Sequence, residues 1–391
     1  MSSEIKLIAT AAMGLEAVVA KEVKNLGYED VRVENGKVIF NSDKLGIART
    51  NLWLRTADRV KLLVGEFQAL TYDELFEGTK ALPWEEIIPE NGAIPVSGKS
   101  HKSKLFSVSD CQAIVKKAIV ERLKQKHGIA NRLSESGEHY KVEVALLKDQ
   151  VTLTIDTSGV GLHKRGYRTG QGEAPLKETL AAALIQLTNW RADLPLYDLF
   201  CGSGTIPIEA ALIAQNIAPG FNRNFASEDW PFISNAQWDK AFEEAEDLAN
   251  YDQKLQIVGT DIDHRMIEVS KNNAMEAGLA DLIEWKQMRA TDFHTKEVNG
   301  YIVSNPPYGE RIGEKKETEQ MYQSLGNVLK NYPSWSVYII TANENFEQLF
   351  GRKASKKRKL FNGFIRTDYY QYFGKQFVLF VNDESRIMSL Y

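Results

Sequence analysis

Apolar positions near the N-terminus switch between strand and helix periods. Residues 6–10 read as a short strand. Leu15, Val18, Val19, Val23 and Leu26 then recur on one helical face, and Gly27 is a natural helix stop. Two strand-like runs around Val31 and Val38 are separated by Asn35-Gly36, a strong hairpin signal. A second helix is predicted over 43–53 and a strand over 60–67. Beyond residue 71 the pattern predicts a strand at 93–96 and a helix through Cys111, Val115, Ala118, Ile119 and Leu123. Two alternating strands follow: Val142, Val144 and Leu146 share one face, as do Val151, Leu153 and Ile155, with Lys148-Asp149-Gln150 turning between them.

From Gly161 onward, strand-like runs at 196–200, 257–260, 282–285, 301–304 and 337–340 alternate with helical ones. Such βαβ alternation implies an α/β fold with a mostly parallel sheet, covered on both faces. A last pair, around Phe364 and at 377–381, would close that sheet as an antiparallel hairpin. The expected division is an α+β subdomain over 1–70, a second α+β module over 71–157, and the α/β domain over 158–391. A basic run at 352–359 is assigned to a loop.

The length of 391 residues favours two or three domains. With 43% hydrophobic and 26% charged residues, the composition is that of a globular protein. No apolar run approaches the roughly 20 residues that span a bilayer, and the N-terminus lacks a secretory pattern. Cys111 and Cys201 form no framework, so a reduced, cytoplasmic protein is expected. The formal net charge of -4 runs against a nucleic-acid footprint, so any polyanion site must be a local patch. No metal-ligand spacing and no serine or cysteine triad signature is present, and no metal is expected.

The most informative segment is LYDLFCGSGTIPIEAALIA, residues 196–214. An apolar strand ends at Asp198, and an apolar helix follows a glycine-rich turn. Gly202 and Gly204 let the backbone bend tightly and approach a ligand, and the helix N-terminus suits polar ligand groups. The third glycine of the dinucleotide pattern is missing, since Ile206-Pro207 follow Thr205, and there is no P-loop lysine. Asp198 is placed to hold a ligand's ammonium group. Asp261 ends the next strand, where a carboxylate takes both hydroxyls of a ribose. Asp263 reads equally as a ligand or as a helix cap. Asp292 reads as a partner for an adenine amine or as a plain loop aspartate. Phe200, Thr205 and Ile262, beside these acids and glycines, complete the candidate cofactor set. Phe200 and Trp285 otherwise read as core.

Asn305-Pro306-Pro307-Tyr308 follows the strand YIVS. Two prolines stiffen a turn at the carboxyl end of the sheet, where ligands bind in open α/β folds. An exocyclic base amine is a poor nucleophile, because its lone pair is conjugated with the ring. The Asn305 side-chain oxygen and the Pro306 carbonyl can accept its hydrogen bonds and aim it at a methyl donor. Tyr308 can stack on an extruded base.

These two motifs, in this order, resemble class I methyltransferases acting on exocyclic amines. The residues LHKRGYR (162–168), EAPLKETLAAAL (173–184) and NPPYGERIG (305–313) narrow the resemblance. It is to guanine-N2 RNA methyltransferases that carry an N-terminal THUMP domain, closest to those acting on large-subunit ribosomal RNA. The resemblance implies a Rossmann-like methyltransferase sheet with a C-terminal antiparallel hairpin, preceded by a ferredoxin-like and THUMP region. It implies S-adenosylmethionine as cofactor, RNA as partner and a part in rRNA processing. Residues 162–168 and 175–179 would help to close the cofactor pocket. Arg165 is a candidate for the methionine carboxylate or for RNA phosphate. Arg168, Arg311, Lys102, Lys104, Lys356, Lys357 and Arg358 are further RNA candidates. Some bacterial relatives fuse a second methyltransferase domain at the C-terminus. This chain stops at Tyr391, so a second modification is not expected.

Three other readings compete. A tRNA guanine-N2 or adenine-N6 methyltransferase uses the same NPPY chemistry. A non-enzymatic RNA-binding or remodelling protein would keep the pocket as a relic. A nicotinamide oxidoreductase leaves NPPY unexplained.

Overall fold

A computed structural model describes residues 4–170, 176–309 and 314–375. The proposed hairpin strand at 377–381 lies outside the described residues, as do Arg311 and Pro175.

The N-terminal region is one seven-stranded sheet flanked by four helices. Its strands are β1 (Ile5–Ala11), β2 (Arg32–Glu34), β3 (Lys37–Ser42), β4 (Ala57–Gln68), β5 (Val96–His101), β6 (Val142–Leu147) and β7 (Gln150–Asp156), in the order β2-β3-β1-β4-β7-β6-β5. Its helices are α1 (Glu16–Asn25), α2 (Lys44–Trp53), α3 (Tyr72–Lys80) and α4 (Val108–His127). β4 pairs with β1 on one side and β7 on the other, so the sheet runs unbroken past residue 70. The alternation in β6 and β7 places Val142, Val144, Leu146, Val151, Leu153 and Ile155 in the core. The turn between them is shorter than the sequence suggested: Lys148 and Asp149 are both left-handed, and Gln150 already belongs to β7. The strand expected at 93–96 begins only at Val96. Pro95 has no N–H to donate, and Ala93 makes just an isolated bridge to His139.

The second sheet is Rossmann-like. Its strands β8 (Leu196–Asp198), β9 (Ile257–Asp261), β10 (Ile283–Gln287), β11 (Tyr301–Ser304) and β12 (Ser336–Thr341) are parallel. β13 (Lys356–Asn362) and β14 (Ile365–Tyr372) join antiparallel, in the order β10-β9-β8-β11-β12-β14-β13. The connecting helices are α5 (Glu178–Gln186), α6 (Thr205–Ala214), α7 (Asn235–Asp247), α8 (His264–Glu276), α9 (Glu314–Leu329) and α10 (Phe346–Phe350). Strand order reverses between β8 and β11, which opens a crevice at their carboxyl ends.

Two expectations are corrected here. The closing hairpin is β13 with β14, and Phe364 lies in the turn between them rather than in a strand. Residues 356–359 of the basic run therefore lie on an edge strand, not on a loop.

The two sheets share apolar and polar contacts. Arg49 on α2 donates two hydrogen bonds to Glu244 on α7, at 2.6 and 2.7 Å. Glu209 on α6 is fully buried and accepts from Tyr167 Oη at 3.0 Å. It also pairs with the buried Arg165 at 3.3 Å. Arg165 in turn donates to the carbonyls of Leu162 and of Arg55 in the N-terminal region. Removing Glu209 would leave a buried cation without its anion. Glu209→Ala is expected to lower stability by ~3–5 kcal/mol in denaturant unfolding. A change within the range of surface substitutions would show that this pair does not join the two regions.

Candidate active site

The glycine turn is held by its neighbours as much as by its own dihedrals. Gly202 and Gly204 have φ of +51° and +82°. A Cβ at Gly204 would lie 2.7 Å from the Trp285 ring, and one at Gly259 only 2.4 Å from it. Trp285 therefore fills the space that a side chain at either glycine would need. Helix α8 braces the same turn from outside. Ser270 Oγ donates to the Gly202 carbonyl at 2.7 Å, and Asn273 Nδ2 to the Ser203 carbonyl at 2.9 Å. Asn273 Oδ1 also accepts from the backbone of Thr169 and Gly170, at 3.0 and 3.2 Å. Sequence reasoning missed Ser270 and Asn273. Their signal was two polar residues three apart on a helical face shared with Ile267 and Ala274.

Asp198 and Asp261 stand at the ends of neighbouring strands in different surroundings. Asp198 is 1% exposed and accepts from the Phe200 N–H at 3.1 Å. Burial, with the nearby Asp261 charge adding to it, pushes its carboxyl up to about 7. Asp261 is half-buried and spends its oxygens on backbone: Oδ2 accepts from Gly202 N and Oδ1 from Asp263 N, each at 2.9 Å. Asp263 caps α8 through the Arg265 N–H at 2.9 Å and forms an ion pair with the Arg265 guanidinium at 2.8 Å.

The crevice holds a cavity of about 830 Å³, within the range of small-ligand sites. Leu199 and Phe200 of the glycine turn line it, with Asp261 and Ile262 after β9. Asn305 and Pro307 face it after β11, and Glu317, Thr318 and Met321 of α9 close one side. The loop after β8 and the NPPY turn thus share one cavity, although Asp198, Gly202, Gly204 and Thr205 are not themselves among its lining residues. Asp292, by contrast, is exposed and not among the lining residues; Arg289, Ala290 and Thr291 before it are.

The NPPY turn is tied down on three sides. Asn305 Oδ1 accepts from Tyr308 Oη at 2.8 Å, and Tyr308 Oη accepts from Asn362 Nδ2 at 3.3 Å. The Pro307 carbonyl accepts from Tyr322 Oη at 2.6 Å, and that hydroxyl also meets Thr341 Oγ1 at 2.9 Å. Pro306 is buried and Pro307 exposed.

The basic candidates separate by exposure. Arg165, read as a candidate for the methionine carboxylate or for RNA phosphate, is 3% exposed and pairs with Glu209. Arg168 is half-buried, 3.0 Å from Glu178, and donates to Thr205 Oγ1 at 2.9 Å. It thereby ties the segment before α5 to the first residue of α6. Arg358 donates to the Gly14 carbonyl at 2.7 Å. Lys357 pairs with Asp368 at 3.2 Å. Lys102, Lys104 and Lys356 are exposed. Among the described residues there is no cluster of His, Cys, Asp or Glu that could hold a metal, and no helix is long and apolar enough to cross a membrane.

Family models match three successive segments. Residues 6–61 match the RlmL ferredoxin-like domain, 69–156 the THUMP domain, and 165–371 the RMKL-like methyltransferase domain. A Bacillus subtilis relative named "Putative RNA methyltransferase YpsC" is 65% identical over 94% of this chain and 96% of its own. The "Ribosomal RNA large subunit methyltransferase K/L" of Shewanella frigidimarina is 32% identical over 91% of this chain, which spans about half (51%) of that protein. Among solved structures, "SMU.472, a putative methyltransferase complexed with SAH" is 49% identical with a TM-score of 0.92, covering 97% of this chain and 100% of that one. A "predicted N6-adenine-specific DNA methylase" from Listeria monocytogenes is 60% identical with a TM-score of 0.92, covering 95% and 97%. The crevice geometry and these matches agree: the chain belongs to the RMKL-like methyltransferase family, its methyltransferase domain preceded by RlmL-type ferredoxin-like and THUMP domains.

Proposed function

We propose that this protein transfers the methyl group of S-adenosylmethionine to the exocyclic N2 amine of a guanine in large-subunit (23S) ribosomal RNA. The observation that carries this reading is the one cavity lined by Leu199 and Phe200 after β8, Asp261 and Ile262 after β9, and Asn305 and Pro307 of the NPPY turn. Asp261, fixed by two backbone N–H groups, would hold ribose hydroxyls, with Phe200 and Ile262 giving apolar cover. Asp198 is a buried carboxylate whose ionisation burial opposes; a cofactor ammonium group would supply the missing countercharge. When bound, the sulfonium supplies an electrophilic methyl group.

The chain's own part is to present the amine. Asn305 Oδ1 already accepts a hydrogen bond, from Tyr308 Oη. A base amine would take the hydroxyl's place at that oxygen, which releases Tyr308 to pack on the base. Held there, the nitrogen lone pair is turned towards the methyl carbon as positive charge develops. Transfer would make the N–C bond at the expense of the donor's C–S bond, leaving a neutral thioether, and the amine proton would pass to water. Asn305 cannot take that proton and need not, because the methylated amine is strongly acidic until it loses it.

RNA as substrate rests on the THUMP match and on the names of the relatives. Lys102, Lys104, Lys356 and Lys357 are the exposed cations proposed to meet phosphate. The Listeria relative's name favours a second reading, adenine N6, whose amine the same turn would accept. Nucleoside mass spectrometry of RNA from a deletion strain separates the two. Loss of N2-methylguanine from 23S RNA is expected, and loss of N6-methyladenine instead would overturn the guanine assignment.

Two variants test the site. Asn305→Ala should lower kcat by about 10²–10³-fold while calorimetry still shows S-adenosylhomocysteine binding; full activity would exclude the role given to the turn. Asp198→Asn should abolish tight cofactor binding yet stabilise the free protein at alkaline pH. The wild-type carboxyl holds its proton more tightly when folded, with a value near 7 against about 3.9 unfolded. Stability therefore falls as pH rises from about 4 to 7, by up to a few kcal/mol at ~1.4 per unit, and stays low above. Melting of Asp198→Asn at pH 8 should exceed wild type, with the gap closing towards pH 4; an equal gap at every pH would refute the buried-charge account.

A further inference from the structure

The β13–β14 hairpin ends in a two-residue loop, Gly363-Phe364, closed by the Asn362–Ile365 pair. Gly363 has φ of +62° and Phe364 is not left-handed, the pattern of a tight turn with glycine at its first loop position. Such a turn makes no apolar demand on the second position. Phe364 is nevertheless an aromatic residue at 106% exposure, and Ile365 beside it is 39% exposed. Packing within the fold explains neither.

The place of this tip in the molecule supplies a reason. Asn362 Nδ2 reaches Tyr308 Oη at 3.3 Å, and that hydroxyl reaches Asn305 Oδ1 at 2.8 Å. The hairpin tip is therefore tied to the NPPY turn, and Phe364 starts two residues on, within about 7.6 Å of Asn362 Cα at 3.8 Å per residue. Exposed cations flank it: Lys359 on β13 and Arg366 on β14. An isolated apolar residue on a surface needs no explanation. An aromatic ring on a hairpin tip, tied to the NPPY turn and between cations, matches the shape and charge of a nucleic-acid stack.

We propose that Phe364 is a wedge that enters the base stack of structured RNA at the position vacated by the target base. The inference rests on the reading that the substrate is a base extruded from RNA. Extrusion forfeits stacking on both sides of the base, and an aromatic ring inserted in the gap restores part of it. Lys359 and Arg366 would hold the flanking phosphates while the tip is inserted. The Asn362–Tyr308 contact makes insertion and presentation of the base parts of one movement.

The test compares two RNAs built around the nucleotide mapped in the deletion strain: its folded stem-loop, and a short single-stranded oligomer of the same sequence. Phe364→Ala should lose about tenfold or more in kcat/KM on the stem-loop and match wild type on the single strand. Phe364→Trp should retain activity on both. With 2-aminopurine at the target position and S-adenosylhomocysteine present, wild type should raise the fluorescence of the stem-loop and Phe364→Ala should not. The wedge is overturned if Phe364→Ala equals wild type on the stem-loop, or if it loses equally on both RNAs. If wild type methylates neither RNA, the substrate reading itself fails and the wedge falls with it.

Discussion

The hydrogen bond from the Gly202 N–H to the Asp261 carboxylate is the constraint on which the site depends. It joins the loops after two adjacent parallel strands, one contributing backbone and the other charge. The bond requires Gly202 to adopt a left-handed conformation, and the next turn of chain requires a glycine at 204 because the Trp285 ring leaves no room for a Cβ. Once both are met, Asp261 is oriented before any ligand arrives, since its two oxygens are already spoken for by Gly202 and Asp263 N–H groups. Preorganisation of this kind reduces what a ligand must order on binding. The same turn then fixes where α6 begins, and α6 carries the Glu209 that binds the N-terminal region through Arg165.

What could be read from the sequence was whatever is local. DLFCGSGT declares its strand, bend and helix within a few residues, and NPPY declares a stiff turn after an apolar strand, so both sides of the cavity were legible. Partners far apart in the chain were not. Arg165 and Glu209 are 44 residues apart, and only the fold shows that the arginine's charge is consumed inside the protein. Asp292 was chosen as an acid after a strand, but the short 3-10 turn at Ala290–Asp292 leaves it exposed while the residues before it line the cavity. The closing hairpin was misplaced because Phe364 was counted by its strand propensity. The Asn362-Gly363 dipeptide beside it was the better signal, since glycine's freedom at positive φ decides where a tight turn sits. The basic run was assigned to a loop by its charge, yet edge strands commonly carry lysine, which discourages pairing with another chain. β13 is such an edge.

The joint between the two sheets has a consequence for recognition. Arg49–Glu244 is a two-bond pair, and Asn51 donates to Thr157 and accepts from Ser158 at 2.9 and 2.6 Å in the buried connection between the sheets. Polar contacts of this kind are geometrically demanding and lose their value when misaligned, so they fix orientation more than they add stability. These contacts hold the ferredoxin-like region, whose β4 pairs with β7 of the THUMP region, so on the proposed reading the THUMP region would stand at a set distance from the cavity. Under that proposal, selection among chemically identical bases would become a matter of reach, with the NPPY turn judging only the amine.

Asp198 shows the cost of the same design behind the cavity wall, at the end of β8 just before the lining residues Leu199 and Phe200. A carboxylate at 1% exposure, with a carboxyl value near 7, is a poor choice for stability. Ser304 softens the burial through a hydrogen bond to that carboxyl, and its Oγ also accepts from the Leu199 N–H at 2.9 Å. The residual penalty falls on the free protein alone if the ligand brings a cation, because the countercharge then restores what burial removed. An ammonium group would thus be selected by the protein's own unsatisfied charge, and a ligand of the same shape without that cation would leave the penalty in place. On the proposed reading, discrimination would rest on the want of a countercharge at the buried Asp198 carboxylate.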